Sequence, residues 1–132
     1  MKKYLFILIP ILFILQGCKP NADGLFRKIE NETGFKVKPN LLFEEDKDRD
    51  KHTKSGIIEV AYDTINAPKI ITIKRCIDNY LKVMPTVEET GKFDYELSDY
   101  YEWENTEFEV TLRVRWKDDE NLIYVLMFFT EK

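Results

Sequence analysis

Apolar and polar side chains alternate along the last third of the chain. A period of two over several residues is typical of a β-strand that buries one face. The pattern therefore predicts two strands that pair with each other through a turn at Glu104–Glu107. The apolar positions of these strands are Phe93, Tyr95, Leu97, Tyr101, Trp103, Phe108, Val110, Leu112, Val114 and Trp116.

Charged residues on the opposite side of these two strands predict their register. The turn places Glu96 opposite Arg115 and Asp94 opposite Lys117. Opposite charges that face each other across an antiparallel pair stabilise it by roughly 0.2 to 1 kcal/mol each. A slip of one residue would lose both the charge pairs and the matching apolar side.

Three more segments have the character of strands. Leu122–Thr130 is apolar on both faces, so it should be an interior strand or have one face covered. Val37–Glu45 and Gly56–Ile65 predict a hairpin whose connecting loop is the charged stretch Asp46–Lys54.

Two segments have the period of a helix. Asp23–Thr33 carries apolar residues on one side, with Asn21 or Asp23 as its N-cap and Gly34 after its end. A longer helix opens at Asn66-Ala67-Pro68 and continues until Pro85 stops it. Its apolar residues recur at steps of three and four, at Ile70, Ile73, Ile77, Tyr80 or Leu81, and Met84.

These elements predict an α+β fold in the order α-β-β-α-β-β-β. We expect a mainly antiparallel sheet of four to five strands, one main helix and one short N-terminal helix. Residues 24–132 then form a single domain, which is large enough to bury its own core.

The first residues have the composition of an export signal. Lys2 and Lys3 precede an apolar run, Tyr4–Leu15, that is too short for a membrane-spanning helix. The run ends in Leu15-Gln16-Gly17-Cys18, which resembles the lipobox of bacterial lipoproteins, although Gln16 stands where that family usually has a small residue.

The resemblance implies that residues 1–18 are a signal peptide and that Cys18 receives a diacylglyceryl group and further acyl chains. Two or three acyl chains make a lasting membrane anchor. Residues 19–23 would be a short tether that reaches less than about 20 Å, so the domain would lie close to the bilayer. By analogy with the family, Lys19 after the cysteine implies a location on the outer membrane, facing the periplasm.

Charge limits the kinds of partner. The whole chain has a net charge of −4 at pH 7, and removal of Lys2 and Lys3 would make it more negative. This is the wrong sign for binding phosphates, so nucleic acid is not expected as a partner.

Residues that often carry chemistry lack the neighbours they need. His52 is the only histidine, and the five glycines form no phosphate-binding pattern. Asp46, Asp48 and Asp50 have the opening spacing of a calcium loop, but the required turn glycine and final glutamate are missing. We therefore expect no catalytic residue, no metal site and no small-molecule cofactor.

Cys76 would be the only thiol left once Cys18 is lipidated. It lies at helical spacing with Ile73, Ile77 and Tyr80, which favours a small buried hydrophobic side chain. A reactive thiol or pairing with another chain are the alternatives, although a cysteine nucleophile would need a base beside it.

One acidic and aromatic strip, residues 94–104, has the composition of a binding surface. Tyrosine and tryptophan give rigid contact area, and carboxylates select a basic partner. We expect the outward-facing residues Tyr100, Glu102, Arg113 and Arg115 to bind another protein. A specific version is an immunity-type inhibitor whose acidic face covers a basic toxin.

The leading interpretation is therefore a non-enzymatic envelope lipoprotein with a protein-binding domain. A first alternative is a hydrolase or carbohydrate-binding module that uses the strip 94–104, which would require two suitably spaced carboxylates in a groove. A second alternative is a structural lipoprotein that self-associates through Leu122–Phe129.

Overall fold

A computed structural model describes residues 19–41, 52–93, 96–117 and 119–132. These residues form an α+β domain with two helices and one six-stranded antiparallel sheet, in the order α-β-β-α-β-β-β-β. The predicted fold class is confirmed. The signal segment with its lipobox, the calcium-like positions Asp46, Asp48 and Asp50, and Asp94, Tyr95 and Asp118 lie outside the described residues. The elements are α1 (Ala22–Thr33), β1 (Lys38–Pro39), β2 (Thr53–Ala61), α2 (Asn66–Leu81), β3 (Val87–Phe93), β4 (Glu96–Glu104), β5 (Phe108–Lys117) and β6 (Leu122–Glu131).

The strands lie in the spatial order β1-β2-β6-β5-β4-β3. The strand β6 therefore has β2 on one side and β5 on the other, and it pairs antiparallel with both. The prediction that this doubly apolar segment is an interior strand is confirmed. Because both of its backbone edges are paired, self-association by strand addition at Leu122–Phe129 has no free edge to use.

The short helix α1 forms as predicted, and Asn21 rather than Asp23 is its N-cap. The side chain of Asn21 accepts a hydrogen bond of 2.7 Å from the backbone N–H of Gly24. At the other end Gly34 adopts the left-handed conformation, with φ of 76°, and its N–H bonds to the carbonyl of Glu30. Leu25 is completely buried on the inner side of the helix.

The main helix α2 begins at Asn66 as predicted but ends at Leu81, three residues before Met84. Lys82 adopts the left-handed conformation, with φ of 56°, and closes the helix by a hydrogen bond to Asp78. Met84 is 72% exposed. Pro85 disfavours the helical region only for Met84, the residue before it, and the left-handed Lys82 ends the helix earlier than the apolar spacing indicates.

The first predicted hairpin exists, but its strands have different lengths. Strand β1 is only Lys38–Pro39, which pairs with Ile57 and Gly56. Strand β2 begins at Thr53, inside the predicted loop, and ends at Ala61. β2 begins earlier than predicted because it pairs with β6 along its whole length. Val37, Asn40 and Leu41 are not part of a strand, which contradicts the predicted length of the first strand. Its remaining residues, 42–45, lie outside the described residues.

One strand was not predicted. Val87–Phe93 forms β3 and pairs antiparallel with β4. The predicted strand that carries Leu97, Tyr101 and Trp103 therefore begins at Glu96 instead of Phe93, and the sheet has six strands instead of four or five. β3 is an edge strand whose residues 88 to 92 are all exposed. An exposed edge strand needs no apolar alternation, and therefore it gave no periodic signal.

The pairing of β4 with β5 keeps the predicted faces but differs in register by two residues. Glu96 lies opposite Lys117 instead of Arg115. The side chain of Asn105 accepts hydrogen bonds from the backbone N–H groups of Glu107 (2.7 Å) and Phe108 (3.0 Å). These bonds place the turn one residue later along the chain than the predicted turn.

The two helices pack over one side of the sheet, which we call the covered face. Its strand residues and the inner sides of α1 and α2 form one hydrophobic core. The other side of the same strands, which we call the open face, carries the alternate residues. The fully buried side chains of the covered face include Ile58, Trp103, Val110, Leu112, Val114, Ile123, Val125, Met127 and Phe129.

Candidate functional site

The four residues predicted to bind a protein lie on β4 and β5, and all of them belong to the open face. Tyr100 is directly opposite Arg113, and Glu102 is the next residue on the same side of β4. Arg115 is the next open-face residue after Arg113 on β5, opposite Ser98. The alternation of the strands thus brings together four side chains that are separated by up to fifteen positions in the sequence.

Tyr100 and Glu102 interact directly. The Tyr100 hydroxyl donates a hydrogen bond of 3.0 Å to Oε2 of Glu102. Partial burial raises the pKa of the Tyr100 hydroxyl, and the hydrogen bond to the Glu102 carboxylate raises it further. The tyrosine therefore stays protonated at neutral pH and presents a neutral ring with an oriented hydroxyl.

Two cationic residues of β5 lie beside Glu96 of β4. Arg115 Nη2 lies 3.2 Å from one oxygen of this carboxylate, and Lys117 Nζ lies 3.4 Å from the other. Arg113 has no ion pair among the described residues, and it is exposed. Of the two predicted arginines, Arg113 is therefore the one whose guanidinium is available to a partner.

Apolar side chains of β6 continue the open face beyond the arginines. Leu126 is opposite Arg113 on one side and Ile57 on the other. Phe128 is the next residue along this row, and the row is only partly exposed. The sequence analysis did not place these residues beside the four predicted site residues, although the doubly apolar pattern of Leu122–Thr130 was a signal for an interior strand.

A shallow groove lies beside Tyr100 at the β3 side of the open face. Gly91 and Ser98 are directly opposite each other and carry no large side chain. No heavy atom lies within 4 Å of the position that a Cβ would take at Gly91. The groove has Glu89, Tyr100 and Arg113 on its walls, so polar groups of both charges border a space that is open to solvent.

Several carboxylates of the acidic strip already have partners. Glu96 is paired with two cations, and Glu102 accepts the Tyr100 hydroxyl. Glu104 forms an ion pair with Lys132. Asp94 lies outside the described residues. The alternative of a hydrolase needs two unpaired carboxylates across a groove, and the contacts of these three carboxylates do not favour it.

The described part of the chain contains no group of three or more histidine, cysteine or acidic side chains placed to hold a metal ion. Its only described cysteine, Cys76, is completely buried in α2, as the helical spacing predicts. The Cys76 thiol lies 2.8 Å from Oε2 of Glu32. Burial, together with the Glu32 carboxylate, raises the pKa of this thiol to about 12, which makes it unreactive at neutral pH.

No helix in the described ranges is both long enough and apolar enough to cross a membrane. Comparison of the chain with protein-family models, with curated proteins and with solved structures found no match.

Proposed function

We propose that this protein is a bacterial envelope lipoprotein that is held at a membrane by lipid on Cys18 and binds another protein through the open face of its sheet. The observation that carries the proposal is the composition of that face. Arg113, which has no ion pair with any described residue, stands between a tyrosine on β4 and a leucine on β6. Tyrosine and arginine are the residue types most enriched at the energetic centres of protein interfaces.

The neighbouring residues supply the rest of an interface. Leu126, Phe128 and Ile57 form a partly buried apolar row, and their remaining exposed area would be removed from water on binding. The hydroxyl of Tyr100 is already fixed by Glu102, so little side-chain entropy is lost when a partner contacts it. An oriented aromatic side chain next to apolar area supports protein binding over a purely structural role.

Acidic residues surround this centre and support a basic partner. They lie on three strands of the open face and include residues that no described cation neutralises, such as Glu89. A positively charged surface would be attracted to this rim before contact, which raises the rate of association. The specific form of the proposal is an immunity-type inhibitor that covers a basic toxin delivered to the envelope.

The proposed anchor lies close to the domain. Asn21 caps the first helix only three positions after Cys18. Three extended residues span about 10 Å, so lipid on Cys18 would hold the domain directly at the bilayer surface. Binding would therefore take place at the membrane.

The test is affinity capture of the full-length protein from crosslinked, detergent-solubilised native membranes. We expect one protein to be captured in a fixed ratio. Tyr100→Ala and Arg113→Ala should each reduce the amount captured by roughly tenfold or more, as expected for central interface residues. Asn79→Ala, an exposed change on α2, is the matched control and should leave capture unchanged.

A Cys18→Ser variant separates anchoring from binding. It should lose lipid attachment but still bind the identified partner when the two are mixed in solution. Capture of no protein by the wild-type chain, or equal capture by the Tyr100→Ala and Asn79→Ala variants, would contradict binding through the open face.

A further inference from the structure

The sheet has one long edge strand with a free side. Within the described residues β3 pairs only with β4, and it is the last strand in the spatial order. Its pairing with β4 runs in unbroken register from Val87 to Phe93. A regular edge of this length offers backbone N–H and C=O groups to an added strand.

The sequence of β3 is complementary to itself in the antiparallel direction. Glu88 and Lys92 are each two positions from Thr90, and all three lie on the side of the covered face. When two copies pair with Thr90 at the centre, Glu88 of each copy lies opposite Lys92 of the other. Opposite charges and threonine pairs across an antiparallel ladder are both stabilising.

Other registers lose this complementarity. Residues that lie directly opposite each other in the two copies must be on the same face of the sheet. The next allowed register therefore has its two-fold centre one residue earlier or later along the strand. A centre at Glu89 places two glutamates opposite each other, which is destabilising. A centre at Gly91 places Lys92 opposite Thr90, without an opposite charge. The charges of the strand therefore select the register centred on Thr90.

The space beside Gly91 is open in this register. In this register Glu89 of one copy lies opposite Gly91 of the other, where no heavy atom lies within 4 Å of a Cβ position. Glu88 is paired with Lys74 at 3.0 Å, yet its side chain remains 52% exposed. Its carboxylate can therefore accept a second cation from Lys92 of another copy.

We propose that two copies of this protein form a symmetric dimer in which their β3 strands pair antiparallel about Thr90. The two sheets then become one continuous sheet with a two-fold axis perpendicular to it. Because residues that lie opposite each other share a face, the two open faces lie on the same side of this sheet. The dimer goes beyond the proposed partner binding and does not depend on it.

Disulfide crosslinking at the two-fold axis tests the proposal on the full-length protein in native membranes. Thr90→Cys places two thiols at directly opposite positions, where Cβ atoms are about 5 Å apart. We expect mild oxidation to convert most of this variant into a reducible dimer. The wild-type chain should give no disulfide-linked dimer because Cys76 is buried, and neither should Asn79→Cys on the exposed side of α2. No dimer at position 90, or an equal dimer yield at position 79, would overturn the proposal.

A charge exchange in the Thr90→Cys background tests the register independently of folding. Glu88→Lys places lysines opposite Lys92, and Lys92→Glu places glutamates opposite Glu88, so each variant alone should give roughly tenfold less crosslinked dimer. When the two variants are co-expressed with different tags, every pair is again of opposite charge. The yield of mixed dimer should return to that of the Thr90→Cys protein without charge exchange. The register would be overturned if each variant alone gave as much dimer as that protein, or if the mixture gave no more dimer than the single variants.

Discussion

The two faces of the sheet are made by the same strands but have different surroundings. On β5, Leu112 is 1% exposed under the helices, and its neighbour Arg113 points to the open face and is exposed. On β4, Trp103 is completely buried and its neighbour Glu102 is not. Burial on the covered face supplies most of the free energy of folding, because apolar area removed from water is the dominant stabilising term.

Neighbouring residues of one strand are therefore under different constraints. A side chain on the covered face must fit its neighbours, since cores are packed as tightly as crystals. The exposed side chains of the open face meet no such demand, so packing restricts their identity less. The stability of variants on the two faces should therefore differ sharply, even for adjacent residues.

Truncation of adjacent residues on β5 provides the strongest contrast. We expect Leu112→Ala to lower the free energy of unfolding by about 2 to 5 kcal/mol, because it removes buried contacts and leaves a cavity. Arg113→Ala should change it by no more than about 0.5 kcal/mol. Urea unfolding followed by tryptophan fluorescence measures both. Equal losses would show that the open face is also part of the core.

The contact between α2 and the covered face should give the next largest effect. Oδ1 of Asp78 accepts a hydrogen bond of 3.0 Å from the buried Trp103 indole, and Oδ2 pairs with Lys74 at 3.3 Å. Asp78→Ala leaves the indole N–H without this acceptor, so we expect a loss of about 1 to 3 kcal/mol in unfolding free energy. Asp78→Asn keeps an acceptor oxygen and should lose clearly less. A similar loss for both variants would argue against the hydrogen bond as the cause.

Alkaline pH should weaken the helical layer through Cys76. The folded pKa of this thiol, about 12, is above its ordinary value of 9.0, so the folded state holds its proton more tightly than the unfolded state. The corresponding stability is present below pH 9.0 and is lost as the pH rises toward 12, by up to about 1 kcal/mol per pH unit.

Cys76→Ala isolates this contribution from other groups that titrate at high pH. We expect the variant to be less stable at pH 7 but to lose less stability than the wild-type protein between pH 9 and about pH 11. Unfolding free energies of both proteins across this range provide the measurement. Parallel pH profiles would mean that the thiol has the same pKa in both states.

The smallest effect should come from the ion pairs of the open face. Glu96→Gln removes a carboxylate that pairs with Arg115 and Lys117, and all three side chains are partly exposed. We expect a loss of less than about 1 kcal/mol in unfolding free energy. The difference from wild type should disappear in about 1 M salt, because salt screens exposed charges. A larger, salt-independent loss would place this cluster in the core.

The sequence predicted the elements that bury an apolar face and missed the one that does not. The period of α2 gave its start and its buried side, and the doubly apolar character of β6 gave the position of that strand. β3 has exposed polar positions along most of its length, and its pairing with β4 is a property of the backbone. A strand of this kind has no apolar alternation in its sequence by which it could be predicted.

The register of β4 and β5 also could not be predicted from the sequence pattern. Both the predicted and the observed pairing give Glu96 a cation, since Arg115 and Lys117 lie on the same side of β5. Charge therefore could not distinguish them, and the side chain of Asn105 in the turn decided between them. The face of Tyr100 and Arg113 was predictable because a two-residue shift preserves it, whereas the apolar row beside them depended on the spatial order of β6.

The position of β6 has a consequence for the order of folding. β6 is the last described strand of the sheet in chain order, yet it lies between β2 and β5 and joins the two halves of the sheet. The ribosome must therefore make Leu122–Glu131 before the core can close. The earlier strands stay without their central partner until this segment has been synthesised.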